Sequence, residues 1–135
     1  MAYPRQQTAM SQYQENDVAG SVHYANPHKL IEMLLSGVLD RLAQAKGGIQ
    51  RGDRMQKLQG IAKSVAIIEH LRVQLDFQAG GDIARNLGRL YDYMLRRLPK
   101  ANADDDVAVI DEVLGLVREI KAAWDAIPVT VRTHH

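Results

Sequence analysis

From Asn26 onward, apolar residues recur at steps of three and four. Ile31, Leu34, Leu35, Val38, Leu42 and Ala45 fall on one face of a 3.6-residue period, which predicts an amphipathic helix. Asn26 before Pro27 suits an N-cap followed by proline at the first helical position. Gly47 and Gly48 are stop signals, with room for the helix to run on to Arg51. A second helix is expected from the cap Asp53, with Leu58, Ile61, Val65, Ile68 and Leu75 as its stripe, ending near Phe77. A third is expected from Asp82, carrying Ile83, Leu87, Leu90, Met94 and Leu98. Pro99 lacks a backbone donor, so the expectation is that this helix ends or kinks there. A fourth begins around Asp104, Asp105 and Asp106, whose carboxylates complement a helix N-terminus, and continues through Val107, Ile110, Leu114, Val117 and Trp124 until Pro128.

Each helix of about 20 residues is about 30 Å long. The links between them are short, so consecutive helices lie antiparallel. The fold class expected is all-α: an up-down-up-down four-helix bundle over 26–128, with 129–135 as a tail. Residues 1–25 are polar, rich in Gln, Ser, Asn and Gly, and read as a mobile N-terminal arm.

Composition narrows the functional classes. Seventeen basic residues against 16 acidic ones leave a net charge of +1, which argues against nucleic acid as the main partner. The absence of cysteine excludes disulfides, thiolate metal sites and a thiol nucleophile. With 46% apolar residues among its 135, the chain can bury one core. No apolar run reaches the roughly 18–20 residues of a membrane span, and the first residues carry no apolar core of a secretory signal. A soluble protein of the cytosol is expected.

Chemistry-bearing constellations are few. His28 and Glu32 stand four apart, a spacing that can hold a metal, but two solvated residues near a helix start explain them more simply. The paired Glu-x-x-His motifs of di-iron bundles are missing, since Glu69 and His70 are adjacent. His23 lies in the arm, and His134 and His135 in the tail. The three aspartates read as caps, and Gly80-Gly81-Asp82 reads as a turn because no strand precedes it and no phosphate-loop lysine follows. Arg51, Arg54 and Lys57, with Arg96 and Arg97, form local basic patches without interleaved aromatics. Neither an enzyme nor a cofactor or metal is expected.

What the pattern has in excess is apolar surface. Ile67 and Leu71 lie beside the main line of the second helix, and Tyr91, Leu95 and Ala84 beside that of the third. The fourth carries a wide arc through Val113 and Ile120 to Ile127. An amphipathic stripe is about 100° wide. A wider arc either closes a larger core or leaves a groove for another helix. On the second alternative, Ile67, Leu71, Tyr91, Leu95 and Val113 are the expected groove contacts, while Leu34, Val65, Leu87 and Leu114 are core. In the arm, Met10, Tyr13, Val18 and Val22 recur at helix-like intervals. They read either as a segment that covers the groove or as idle apolar residues of a disordered leader.

Several stretches resemble the flagellar secretion chaperones, the FliS family. Ala25-Asn26-Pro27-His28-Lys29-Leu30-Ile31-Glu32-Met33-Leu34 is similar to that family's SPhxLIxMLxxG opening, and Lys63-Ser64-Val65-Ala66-Ile67-Ile68 to its KAIxII segment. Leu75-Asp76, then Gly80-Gly81-Asp82-Ile83-Ala84-Arg85-Asn86-Leu87 and Leu90-Tyr91-Asp92-Tyr93-Met94, resemble its LD…GGxIAxNLxxLYDYM core. Ala101-Asn102, Glu112-Val113 and Ala122-Ala123-Trp124 fit its closing pattern. Pro99 departs from the family, which often keeps that stretch apolar and helical.

The resemblance implies an antiparallel bundle that binds the disordered C-terminal segment of flagellin in the cytoplasm. It implies that the chaperone blocks premature polymerisation and helps bring the subunit to the membrane protein of the type III export gate. It also implies that the arm, with Tyr13 at the family's tyrosine position, covers part of the binding surface and takes part in client and gate contact. Two other classes remain as alternatives: a metal or redox bundle enzyme, and a homo-oligomeric structural or adaptor bundle in which the excess arc meets another copy. Weak self-association is compatible with either bundle reading.

Overall fold

The computed structural model describes residues 26–127. Among them are four helices and no strand: α1 (Pro27–Arg51), α2 (Arg54–Val73), α3 (Phe77–Asp104) and α4 (Val107–Asp125). Local chemistry sets most of the boundaries. The Asn26 side chain accepts from the Lys29 amide, and Pro27 takes the first turn. Asp53 accepts from Gln56, Asp76 from Gln78 and Ala79, and Asp106 from Ala108 and Val109. Gly52 ends α1 in the left-handed region, φ 72°, where a Cβ is costly.

Contacts between the helices give the topology. α1 packs on α2 and α4, and α3 packs on the same two. Lys57 at the start of α2 reaches the end of α3, its Nζ donating to the Asn102 carbonyl at 3.0 Å and to Asp105 at 2.6 Å. Trp124 near the end of α4 donates to the His28 carbonyl at the start of α1, 3.0 Å away. Lys46, late in α1, pairs with Asp111, early in α4, at 2.7 Å. Every neighbouring pair is therefore antiparallel, the up-down-up-down order.

α1 and α2 approach most closely. A Cβ built on Gly60 would lie 2.6 Å from the Ala45 nitrogen and 2.6 Å from the Arg41 carbonyl oxygen. One on Gly48 would lie 2.5 Å from the Lys57 nitrogen. These two glycines let backbone meet backbone, and Ser64, fully buried beside them, donates its hydroxyl to the Gly60 carbonyl at 2.8 Å. The remaining core is Leu34, Leu35, Val38 and Leu42 of α1, Ile68 and Leu71 of α2, Met94 and Leu98 of α3, and Ile110, Val113 and Val117 of α4.

Several expected boundaries moved. α2 ends at Val73, and Phe77 opens the next element instead of closing this one. α3 begins with one short turn, breaks at Gly81 (φ 53°, ψ −130°), and then runs from Asp82 as expected. Neither ending nor losing its helical dihedrals at Pro99, it continues to Asp104. Pro99 lies on the exposed face, where the carbonyl it leaves without a helical donor can turn to water, while Leu98 and Ala101 beside it are fully buried. Lys57 then holds the last turn. Consequently α4 starts at Val107: Asp104 pairs with Lys100, Asp105 closes α3 in the left-handed region at φ 52°, and Asp106 alone caps α4.

Surface ion pairs stitch the neighbours together and give the fold a pH dependence. Arg72 makes a two-pronged pair with Asp92, lowering the Asp92 pKa. Tyr93 donates to Glu112 at 2.7 Å and Arg97 reaches the same carboxylate at 3.3 Å, so Glu112 is lowered too. Lys121 lowers Asp125. Burial lowers His70 from its usual 6.5. All four groups are depressed in the folded state, so each contributes stability at neutral pH that is lost on acidification. Thermal melts should show Tm declining as pH falls below the usual His70 value of 6.5, and again below the usual aspartate value of 3.8. A Tm constant across that whole range would contradict the assignment.

Candidate helix-binding groove

Surface residues Tyr93 and Arg97 of α3 hold Glu112 of α4, closing that edge of the bundle. Toward the other end of the same pair the edge opens into an apolar groove of about 520 Å³. Ile83, Leu87 and Leu90 form one wall and Leu116, Ile120, Ala123 and Ile127 the other. Asn86 and Glu119 are the polar residues on its lining. Ile83 is 69% exposed, although it is a large aliphatic residue. Leu87, Leu90, Leu116 and Ile127 are half-buried against the core.

Trp124 also lines the groove, and its position is fixed from below. Its indole stacks on the His28 ring, centroids 4.8 Å apart and planes 12° from parallel, while its N–H is held by the His28 carbonyl. The start of α1 thus anchors the end of α4. His28 is correspondingly buried, a correction to its reading as a solvated residue: an aromatic partner 96 positions away covers it. Glu32, one turn on, pairs with Lys29 at 3.2 Å.

Four expected groove contacts are placed elsewhere by the structure. Ile67, Leu71, Tyr91 and Val113 are at most 5% exposed and belong to the core. Burial raises the Tyr91 phenol well above its usual pKa. Leu95 is half-buried against the core and is not among the groove-lining residues. Conversely Leu87, expected in the core, lines the groove, Val65 is only partly buried, and Leu58 is 47% exposed. The physical reason is that a helical wheel gives angles between residues but not which direction is inward. α3 is turned so that Tyr91 and Ala84 of its flank close the core while Ile83, Leu87 and Leu90 of its main line are left partly open. In α4 the main line Ile110, Leu114, Val117 and Trp124 is buried, and Ile120 and Ile127 of its wide arc reach the groove. Leu34 and Leu114 are core, as expected. Met10, Tyr13 and Val18 lie outside the described residues.

The described residues thus form an all-helical bundle with an apolar trough between two fixed helices and a few polar groups on its lining. The particular family is the FliS flagellar proteins, to which this chain belongs: the family's sequence profile, described as Flagellar protein FliS, matches residues 9–131. The chain is 46% identical over 119 residues to the flagellar secretion chaperone FliSB of Pseudomonas aeruginosa, covering 88% of this chain and 94% of that protein. It is 39% identical over 120 residues to the flagellar secretion chaperone FliS of Vibrio cholerae, covering 89% and 88%. With that of Salmonella typhimurium the identity is 42% over 116 residues, covering 85% and 86%. No helix among the described residues is long and apolar enough to cross a membrane.

Proposed function

We propose that this flagellar secretion chaperone works in the cytosol on flagellin, taking the disordered C-terminal segment of that protein as an amphipathic helix in the α3–α4 groove. Covering the segment's apolar face prevents premature polymerisation, and the complex is then delivered to the membrane protein of the type III export gate. The observation that carries the reading is the open trough walled by Ile83, Leu90, Leu116 and Ile127 in a member of this family. Folding a disordered client costs about 2–5 kcal/mol or more of the gross contact energy. Affinity therefore stays reversible even over a large buried surface, which suits a cargo that must be surrendered. Sequential detachment from the groove then follows as the export machinery pulls.

Calorimetric titration of the full chain with a flagellin C-terminal segment tests this. Saturable binding with a negative heat-capacity change and a gain in helical circular dichroism is expected. Neither heat nor added helicity at high concentration of both partners would contradict it.

In this reading Met10, Tyr13 and Val18 of the arm engage the same apolar surface, and Tyr13 contacts client or gate. Tyr13→Ala is expected to weaken binding of the flagellin segment or of the gate protein, with helicity unchanged. Equal binding of both by the variant would remove the arm from the proposal.

A further inference from the structure

Among the described residues, one carboxylate of α3 and α4 stands without a partner, and it lies on the groove. Each of the other acids of these helices is held by a lysine or arginine: Asp82, Asp92 and Asp104 of α3, and Asp111, Glu112 and Asp125 of α4. Glu119 makes no ion pair or hydrogen bond among the described residues, and it is the charged residue of the groove lining. The cause is local. On a helix the surface neighbours of a residue stand three and four positions away. Those of Glu119 are Gly115, Leu116, Ala122 and Ala123, and none of them can pair with it. Arg118 and Lys121 are close in sequence but stand about 100° and about 160° around α4 from it.

The facing wall does not supply a cation either. Arg89 of α3 is turned along its own helix, donating to the Asn86 side-chain oxygen at 2.7 Å. Arg97 is held by Glu112 where the edge is closed. In the free protein Glu119 is exposed, and water solvates it. A helix laid over Leu116, Ala123 and Ile127 removes part of that water. The carboxylate is then left partly desolvated and unpaired unless the bound helix brings a cation of its own. Such a group acts as a penalty on the wrong ligand as well as an attraction for the right one. The net charge of +1 gives the chain no general attraction for cationic ligands, so a preference of this kind is local.

We propose that Glu119 is a specificity-determining residue of the α3–α4 groove. The client helix that fits carries a lysine or arginine at one edge of its apolar stripe, and that cation meets the Glu119 carboxylate. The assignment rests on the reading that the groove accepts a helix, and it adds the chemistry by which one amphipathic helix is preferred to another.

The test uses the full chain and two labelled synthetic helices of about 18 residues, each with one leucine stripe. In the first peptide one flank of the stripe carries lysines and the other glutamines; in the second both flanks carry glutamines. Fluorescence anisotropy should show the lysine peptide binding about fivefold tighter, with the difference shrinking as salt is raised. Glu119→Gln should bring the two peptides within about twofold of each other, and Glu119→Lys should make the glutamine peptide the tighter ligand. A residue that served only the shape of the groove would change both affinities together. Ile83→Glu should weaken the glutamine peptide, which shows that the groove is where it binds. Where that holds, equal binding of the two peptides by the parent, or an undiminished preference in Glu119→Gln, overturns the role of Glu119 and leaves the groove reading standing. Glutamine-peptide binding that is absent, or that ignores Ile83→Glu, overturns the groove reading and the role of Glu119 with it.

Discussion

Ile83→Glu should weaken binding of a flagellin C-terminal segment roughly 30- to 100-fold, which corresponds to about 2–3 kcal/mol. In the free protein Ile83 is 69% exposed, so the fold draws little from it. It stands two residues beyond the break at Gly81, in the first turn of the continuous part of α3, where a carboxylate is favourable to the helix dipole. Stability should therefore change little. When a client helix covers the groove, the same position loses the burial of an isoleucine, about 1.5–3 kcal/mol, and must desolvate a charge. Binding and stability separate at this site. Leu34→Ala, at a fully buried core position, should do the reverse and act through stability, by about 2–5 kcal/mol. Binding by Ile83→Glu within a factor of two or three of the parent would place the client elsewhere.

The second large effect is on the fold. Gly60→Ala should destabilise the bundle by about 1–3 kcal/mol, as overpacking does, although alanine is the better helix former by about 1 kcal/mol. The added methyl would sit 2.6 Å from two backbone atoms of α1, and backbone cannot swing away as a side-chain tip can. Relief requires α1 and α2 to separate, which loosens the packing of Ala45, Ile61 and Ser64 between them. Gly115 provides the control, since nothing lies within 4 Å of a Cβ built there, so Gly115→Ala should be neutral or stabilising. Chemical denaturation of the two variants beside the parent reads the difference. A Gly60→Ala midpoint equal to that of the parent would mean that the two helices can part at no cost.

How much of this the sequence discloses depends on whether the cause is local. Asn26, Asp53 and Asp106 act as caps because a short polar side chain satisfies amides two or three residues ahead, a relation visible without the fold. The passage of α3 through Pro99 was not visible, since what sustains it is tertiary: the burial of Leu98 and Ala101 and a lysine from another helix holding the last turn. That α2 stops at Val73 was hidden by the apolar Leu75 and Phe77, which pack around Gly88 from the connection and the following turn instead of extending the helix.

For the site, an excess of apolar surface was legible and its position was not. Periodicity put Ile67, Leu71, Tyr91 and Val113 on a flank, and the bundle turned that flank inward. A helix's rotation about its own axis is set by its neighbours, chiefly by the close seam at Gly48 and Gly60 and by Trp124 against His28. Leu58 was misplaced for the same reason: it looks like one more core residue until the inward direction is known.

The most direct test of the central claim is methyl nuclear magnetic resonance of the full chain titrated with the flagellin C-terminal segment. The account predicts that methyls of Ile83, Leu87, Leu90, Leu116 and Ile127 shift and saturate together, while those of Leu34, Val38 and Leu42 in α1 stay near their free positions. Saturable binding that leaves the five groove methyls unmoved would contradict it.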